Sequence, residues 1–199
     1  LLTPFIRESL EEAKLGMKDL SAIAISKGPG SYTGLRIGVS TTKGLAFRLG
    51  IPVIGIITLR AMAAGAWRNP EIGKRADTPG KPLLVCPMLD ARRMEVFTAI
   101  YDRQLKPVKQ VTAEILDEAS FSKELKDHRI LFFGNGMPKY RGIHEHPHAY
   151  YHEGILPSAR HMVALALEAY HEKRFEDVAY FEPFYLKDFI ATTPRKKVL

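Results

Sequence analysis

The stretch from Ile23 to Leu49, IAISKGPGSYTGLRIGVSTTKGLAFRL, constrains this chain more than any other. Ile23, Ala24 and Ile25 read as a short apolar strand. Lys27 to Ser31 then breaks it, because Gly28 and Gly30 accept positive φ and Pro29 fixes a turn. A helix of about four turns follows, from near Thr33 to the stop signal Gly50-Ile51-Pro52. On a 3.6-residue period Leu35, Val39, Ala46 and Leu49 share one face, which should be buried. Gly34 and Gly38 leave a bare strip where another backbone could come close. Arg36, Ser40, Lys43 and Phe47 share a further face that mixes charge with an aromatic ring. A helix with this many surfaces to satisfy points to a partner.

A glycine loop between strand and helix invites a phosphate-binding reading, since helix N-termini attract anions. The spacing argues against it. Gly28, Gly30 and Gly34 form G-x-G-x-x-x-G, one residue longer than the dinucleotide fingerprint, and Leu35 stands where a P-loop places its lysine. A tight strand-to-helix connection, with Gly28, Pro29, Gly30, Ser31, Gly34 and Gly38 as its structural residues, outweighs phosphate binding.

The opening residues 1–14, LLTPFIRESLEEAK, form a second amphipathic helix. Leu1, Leu2, Phe5, Ile6, Leu10 and Ala13 spread over half the wheel, wider than the ~100° stripe of a helix docked on one core. Either the helix is wedged between a sheet and its neighbour, or another subunit buries one flank. Ile51 to Ile57 reads as a buried strand, and Thr58 as the cap of a helix Leu59 to Trp67. The polar, turn-rich run Arg68 to Lys81 is the best domain boundary. Beyond it, Leu83 to Met88 is a central strand, Met94 to Tyr101 its hairpin mate, and Val108 to Val111 a third strand. Asp117 opens a helix to Lys126, Ile130 to Phe133 is a buried strand, and Ser158 caps a helix to Lys173. In that last helix Ala159, Met162, Val163, Ala166, Leu167 and Tyr170 fit the buried-face template.

At 199 residues and 46% hydrophobic content the chain can bury one large core or two modest ones. It holds no apolar run near 18 residues and no signal-peptide pattern, so it reads as non-membrane and cytoplasmic. The single Cys86 lies inside an apolar run, which favours a buried, inert thiol over a nucleophile. Lys and Arg number 29 against 22 acids, a net charge of +7. That balance suits RNA or an acidic protein, or plain solubility. The basic tail at Arg195, Lys196 and Lys197 reads as a solvated end. His144, His146, His148 and His152 form the only metal-like grouping. Pro147 works against the helix that would put the i, i+4 pair on one face, so no metal role is assigned.

The longer string GPGSYTGLRIGVSTTKGLAF resembles the signature of the TsaB (YeaZ) family. LGIPVIGI, LDARRMEVFTAIY from Leu89 to Tyr101, FGNG from Phe133 to Gly136, and the late FEPFYLKD agree with it across nearly the whole chain. The resemblance implies an α/β, two-lobed actin-like ATPase (ribonuclease H-like) fold. Its first lobe would cover 1–68, a linker 69–81, its second lobe 82–190, and a basic tail 191–199. Full-length relatives place a strand hairpin ahead of the first helix, and that hairpin is missing here. Active superfamily members cradle nucleotide phosphates with two glycine-bearing hairpins. The second-lobe turn here, Asp90-Ala91-Arg92-Arg93, has no glycine, and Asp90 reads as solvated or paired with Arg92 and Arg93.

What the resemblance implies is a non-catalytic scaffold subunit with no cofactor, no metal and no catalytic residue. It would bind a TsaD-type catalytic subunit, work with a TsaE-type ATPase, and reach tRNA through that complex, or self-associate as a homodimer when alone. The implied partner interface is Leu2, Ile6, Tyr32, Arg36, Ser40, Lys43 and Phe47, with Tyr32 either capping the contact or packing on the sheet. The rival classes are a metallopeptidase (glycoprotease-like) or ATP-dependent enzyme, and an RNA-binding module.

Overall fold

The computed structural model describes residues 2–186. The basic tail 191–199, the stretch 187–190 and Leu1 lie outside the described residues.

The chain opens on α1 (Leu2–Glu12), passes a 3-10 turn at Met17–Asp19, and enters β1 (Ile23–Gly28). Then come α2 (Tyr32–Leu49), β2 (Val53–Ile57), α3 (Thr58–Trp67) and α4 (Pro70–Ala76). The second half runs β3 (Leu83–Asp90), β4 (Glu95–Tyr101), β5 (Pro107–Ile115), α5 (Ser122–Asp127), β6 (Arg129–Phe133), α6 (Met137–Arg141) and β7 (Ala149–His152). A 3-10 turn at Ala159–Met162 leads into α7 (Val163–His171).

Two sheets result. β1 and β2 pair in parallel from Ile23 opposite Val53, joined by the α2 crossover that parallel strands require. The second sheet has the order β5-β4-β3-β6-β7, antiparallel on its β5-β4-β3 side and parallel from β3 through β7. Its central strand β3 is buried from Leu83 to Leu89, as a continuous apolar run dictates for a strand covered on both faces.

α3 is the hinge of the packing, because it is apolar almost all round and therefore buried on both flanks. Leu59, Met62, Ala63 and Ala66 pack toward Leu83, Val85 and Leu89 of β3. Ala61 and Ala64 pack instead with Ile54 and Ile56 of β2 and with Leu165 and Ala169 of α7.

Several local expectations are corrected. Thr58 is the first residue of α3 rather than its cap, and its hydroxyl bonds Ser26 Oγ at 2.6 Å. The polar segment after Trp67 is not all turn: Asn69 caps α4, accepting from Glu71 N, and Ile72 is buried in the shared core. Asp117 opens no helix. Its carboxylate accepts from Ala119 N and Ser120 Oγ in a side-chain turn, and α5 begins only at Ser122. In α7 the buried residues are Leu165 and Ala169, whereas Val163, Leu167 and Tyr170 face solvent. The covered face is the one turned to Ile54 and Ile56 of β2 and to Ala61 and Ala64 of α3.

Candidate functional site

α2 packs on the first sheet and α1 lines a groove beside it, and both leave apolar surface uncovered. α1 buries none of its residues: Leu2 and Phe5 are exposed, while Ile6 and Leu10 are half-buried. The other described residues neither wedge nor sheathe it. α2 is capped by Ser31, whose hydroxyl accepts from Gly34 N, and ends at Gly50 in the left-handed conformation. Only Val39, Thr42 and Ala46 are buried in it. Leu35 and Leu49, expected with them, are half-buried. Ile37 is exposed, and Phe47 is 86% exposed.

The residues of the sequence-derived interface fall into three groups. Phe47, Ser40, Arg36 and Leu2 are exposed. Ile6 and Tyr32 are half-buried, the Tyr32 ring lying 5.1 Å from that of Tyr185. The Arg36 guanidinium sits 5.5 Å over Tyr32 and donates to its hydroxyl at 3.3 Å. Lys43 turns inward: its Nζ donates to the carbonyls of Ala179 at 2.8 Å and Phe181 at 3.2 Å. The sequence carried no signal for that arrangement, because the acceptors are backbone atoms 136 and 138 residues away.

Among the described residues Gly34 and Gly38 meet no foreign backbone; the nearest atoms around them belong to the Ser31 and Ile25 side chains. Close approach happens at Gly28 instead. With φ +120° and no Cβ, it admits the carbonyl of Phe184, which a Cβ would meet at 2.6 Å. Phe184 N in turn donates to Lys27 O at 2.7 Å. A carbonyl oxygen therefore occupies the approach to this loop, and an oxygen dipole is the wrong partner for a phosphate.

Between α1, β1, α2 and the β3–β4 turn lies an open groove of ≈ 1290 Å³, lined by Phe5, Ile6, Leu35, Leu89, Arg92 and Asn135 among others. The turn itself is built on Asp90. Its carboxylate accepts from Arg92 N at 2.7 Å and pairs with Lys139 Nζ at 2.8 Å, while Asp90 N donates to Asn135 Oδ1. Lys139 first, then the Arg92 amide, holds this carboxyl below the usual range. The cation that pairs with Asp90 is thus Lys139 on α6, not the Arg92 or Arg93 side chains expected from adjacency.

Cys86 is fully buried against Thr98 Oγ1 at 3.2 Å, and burial pushes its thiol up to about 12. A thiol so placed stays protonated and unreactive. The His144, His146 and His148 rings follow one another at 5.9 and 5.2 Å. Desolvation first, then its histidine neighbours, lowers the His146 pKa. His148 Nδ1 lies 3.0 Å from Leu125 O, and His152 lies 3.5 Å from Asn69 Nδ2. Among the described residues no group of three or more His, Cys, Asp or Glu is placed to hold a metal ion, and no helix is long and apolar enough to cross a membrane.

A family model described as "TsaD: tRNA N6-adenosine threonylcarbamoyltransferase" matches residues 1–194. The tRNA threonylcarbamoyladenosine biosynthesis protein TsaB of Escherichia coli (strain K12) is 29% identical over 199 residues, covering 96% of this chain and 80% of that protein. The protein of the same name from Bacillus subtilis (strain 168) is 35% identical over 146 residues, 71% of this chain and 58% of its own. Among solved structures, YeaZ from Pseudomonas aeruginosa superposes with a TM-score of 0.72 at 26% identity, covering 93% of this chain and 83% of that one. A Pseudomonas aeruginosa protein described as uncharacterized, with similarity to peptidase YeaZ, gives 0.77 at 26% identity over 94% and 82%. The fold is accordingly the two-lobed α/β, actin-like one, with α3 shared between the cores. On the match over 1–194 and these likenesses, the chain belongs to the TsaD family of tRNA N6-adenosine threonylcarbamoyltransferase proteins, in its TsaB (YeaZ) group.

Proposed function

We propose that this chain is a non-catalytic scaffold subunit in the synthesis of N6-threonylcarbamoyladenosine at position 37 of tRNAs reading ANN codons. It docks a TsaD-type catalytic subunit through α1 and α2 and holds that enzyme active, in concert with a TsaE-type ATPase. It works in the cytoplasm and meets tRNA through the assembled complex. Left alone, the same faces pair as a homodimer. The observation that carries this reading is the uncovered apolar surface of the two helices: α1 buries nothing, and Phe47 on α2 is 86% exposed. Apolar surface gathered this way marks an interaction site.

The groups an enzyme would need are committed elsewhere. The Asp90 carboxylate is held by Lys139 and the Arg92 amide, and the Cys86 thiol is buried and protonated. Those commitments weigh against a peptidase or an ATP-dependent enzyme built on this chain by itself.

The test is calorimetric titration of the chain into its TsaD-type counterpart, with Phe47→Glu in parallel. The Phe47 ring exposes most of a ~200 Å² side chain, so its burial would contribute up to about 4 kcal/mol at ~25 cal/mol per Å². A loss of about tenfold or more in affinity, with the circular dichroism of the free chain unchanged, is expected. Equal affinity of the two proteins rejects the placement.

A further inference from the structure

Beyond α7 the chain doubles back and straps itself along α2. Glu176 N donates to Val53 O at 2.8 Å, and its carboxylate pairs with Lys27 Nζ at 2.8 Å across Gly55, where a Cβ would collide with that carboxylate. Phe181 is buried among Val39, Ala46 and Val53, while the adjacent Tyr180 is 84% exposed. The carbonyls on either side of Tyr180, those of Ala179 and Phe181, are the two that Lys43 holds. Further on, Phe184 is tied to Lys27, and Tyr185 packs on Tyr32. The strap thus meets α2 at Lys43 and again at Tyr32, running antiparallel to it. The reach is consistent: four extended residues span about 13 Å, and the eleven helical steps from Lys43 to Tyr32 about 16 Å.

We propose that this strap, Tyr180 to Tyr185, is the second wall of the docking face on α2, and that Lys43 is a positioning residue acting through it. The inference rests on the scaffold reading above and extends its surface from two helices to two helices and a strap. Lys43, one helical turn before Phe47, spends its ammonium on the two backbone carbonyls that flank Tyr180 and so holds this part of the strap against α2. The charges decide the occupant. α2 carries Arg36, Lys43 and Arg48 and no acid. With Lys43 turned inward, Arg36 lies over Tyr32 and near Tyr185, Arg48 follows Phe47 in the helix, and the strap adds one exposed acid, Glu182, near Tyr185. That pattern fits an amphipathic helix of the partner subunit with Asp or Glu on the flank that meets α2 and Lys or Arg on the flank that meets the strap.

Affinity for the TsaD-type subunit, measured by calorimetry at low and high salt, tests the inference with Phe47→Glu, Tyr180→Ser, Lys43→Met, Lys43→Arg and the Lys43→Met/Tyr180→Ser double variant. Tyr180→Ser, an exposed change that leaves the fold intact, is expected to weaken binding roughly tenfold, as an aromatic anchor does. Lys43→Met is expected to weaken binding to a similar degree, to speed amide exchange over 179–185 in the free chain, and to be rescued by Lys43→Arg. The double variant should bind no worse than the weaker single one, since both act through the same strap. Added salt should weaken the wild-type complex. Normal affinity of Tyr180→Ser alongside impaired Phe47→Glu overturns the strap and leaves the docking face. Strictly additive losses in the double variant overturn the positioning role of Lys43. A salt-insensitive affinity overturns the charged flanks of the occupant. Normal affinity of Phe47→Glu removes the scaffold reading itself, and this inference with it.

Discussion

Leu165 and Leu167 lie two residues apart on α7, are chemically identical, and should respond oppositely to truncation. Leu165 is 5% exposed and packs with Ile54 and Ile56 of β2, Ala61 and Ala64 of α3, and Ala169. Leu165→Ala deletes three buried carbons between two elements that cannot easily close the gap. Transfer and cavity terms together cost about 3 kcal/mol. Leu167 is 55% exposed. Its truncation gives up under half of a Leu burial, about 1 kcal/mol, and alanine's higher helix propensity returns a few tenths. At ~2–4 °C per kcal/mol for a chain of this size, Leu165→Ala should lower the melting temperature by roughly 6–12 °C, and Leu167→Ala by no more than ~3 °C. Differential scanning calorimetry and urea titration of the two variants check this. Equal losses, or the reverse order, would refute the assignment of the buried face.

His161 carries a pH dependence whose sign follows from its surroundings. Burial, and secondarily Arg68, lower its pKa, and its Nδ1 is buried with no hydrogen-bond partner among the described residues. The unfolded chain therefore takes up the proton first as pH falls through 6.5, so the stability His161 contributes is present above that value and lost below it. His161→Gln should flatten the fall in urea midpoint between pH 7 and 5, and an unchanged slope would reject this origin. The Cys86 thiol, pushed up to about 12, should not react with Ellman's reagent at pH 8 in the native chain and should react fully in guanidinium. Prompt native labelling would count against its burial.

Much of the chain can be read from local chemistry. The break at Lys27 to Ser31, the Ser31 cap and the left-handed Gly50 terminus bound α2 within a residue or two of where periodicity and punctuation place it. The strands 83–90 and 95–101 follow from an apolar run and an alternating one. These signals are local: they depend on backbone freedom, capping donors and the spacing of apolar residues. The likeness of the α2 string to one family is of the same kind, since it needs only residue identities in order.

Partnership is where locality ends, and there the tertiary structure decided. Lys43 looked like a surface cation because its acceptors are carbonyls that only the returning strap brings to it. Asp90 sits beside two arginines in sequence yet pairs with Lys139, because the turn aims its carboxylate at α6. The polar run after Trp67 hid a helix whose single buried residue, Ile72, is anchored by strands far along the chain. α7, apolar on most sides, offered more than one stripe, and the sheet and α3 selected Leu165 and Ala169. The sequence by itself determined most of the helices and strands and which segments are apolar. Which side of each is covered depends on groups distant in sequence, and a periodic pattern holds no information about where those groups will stand.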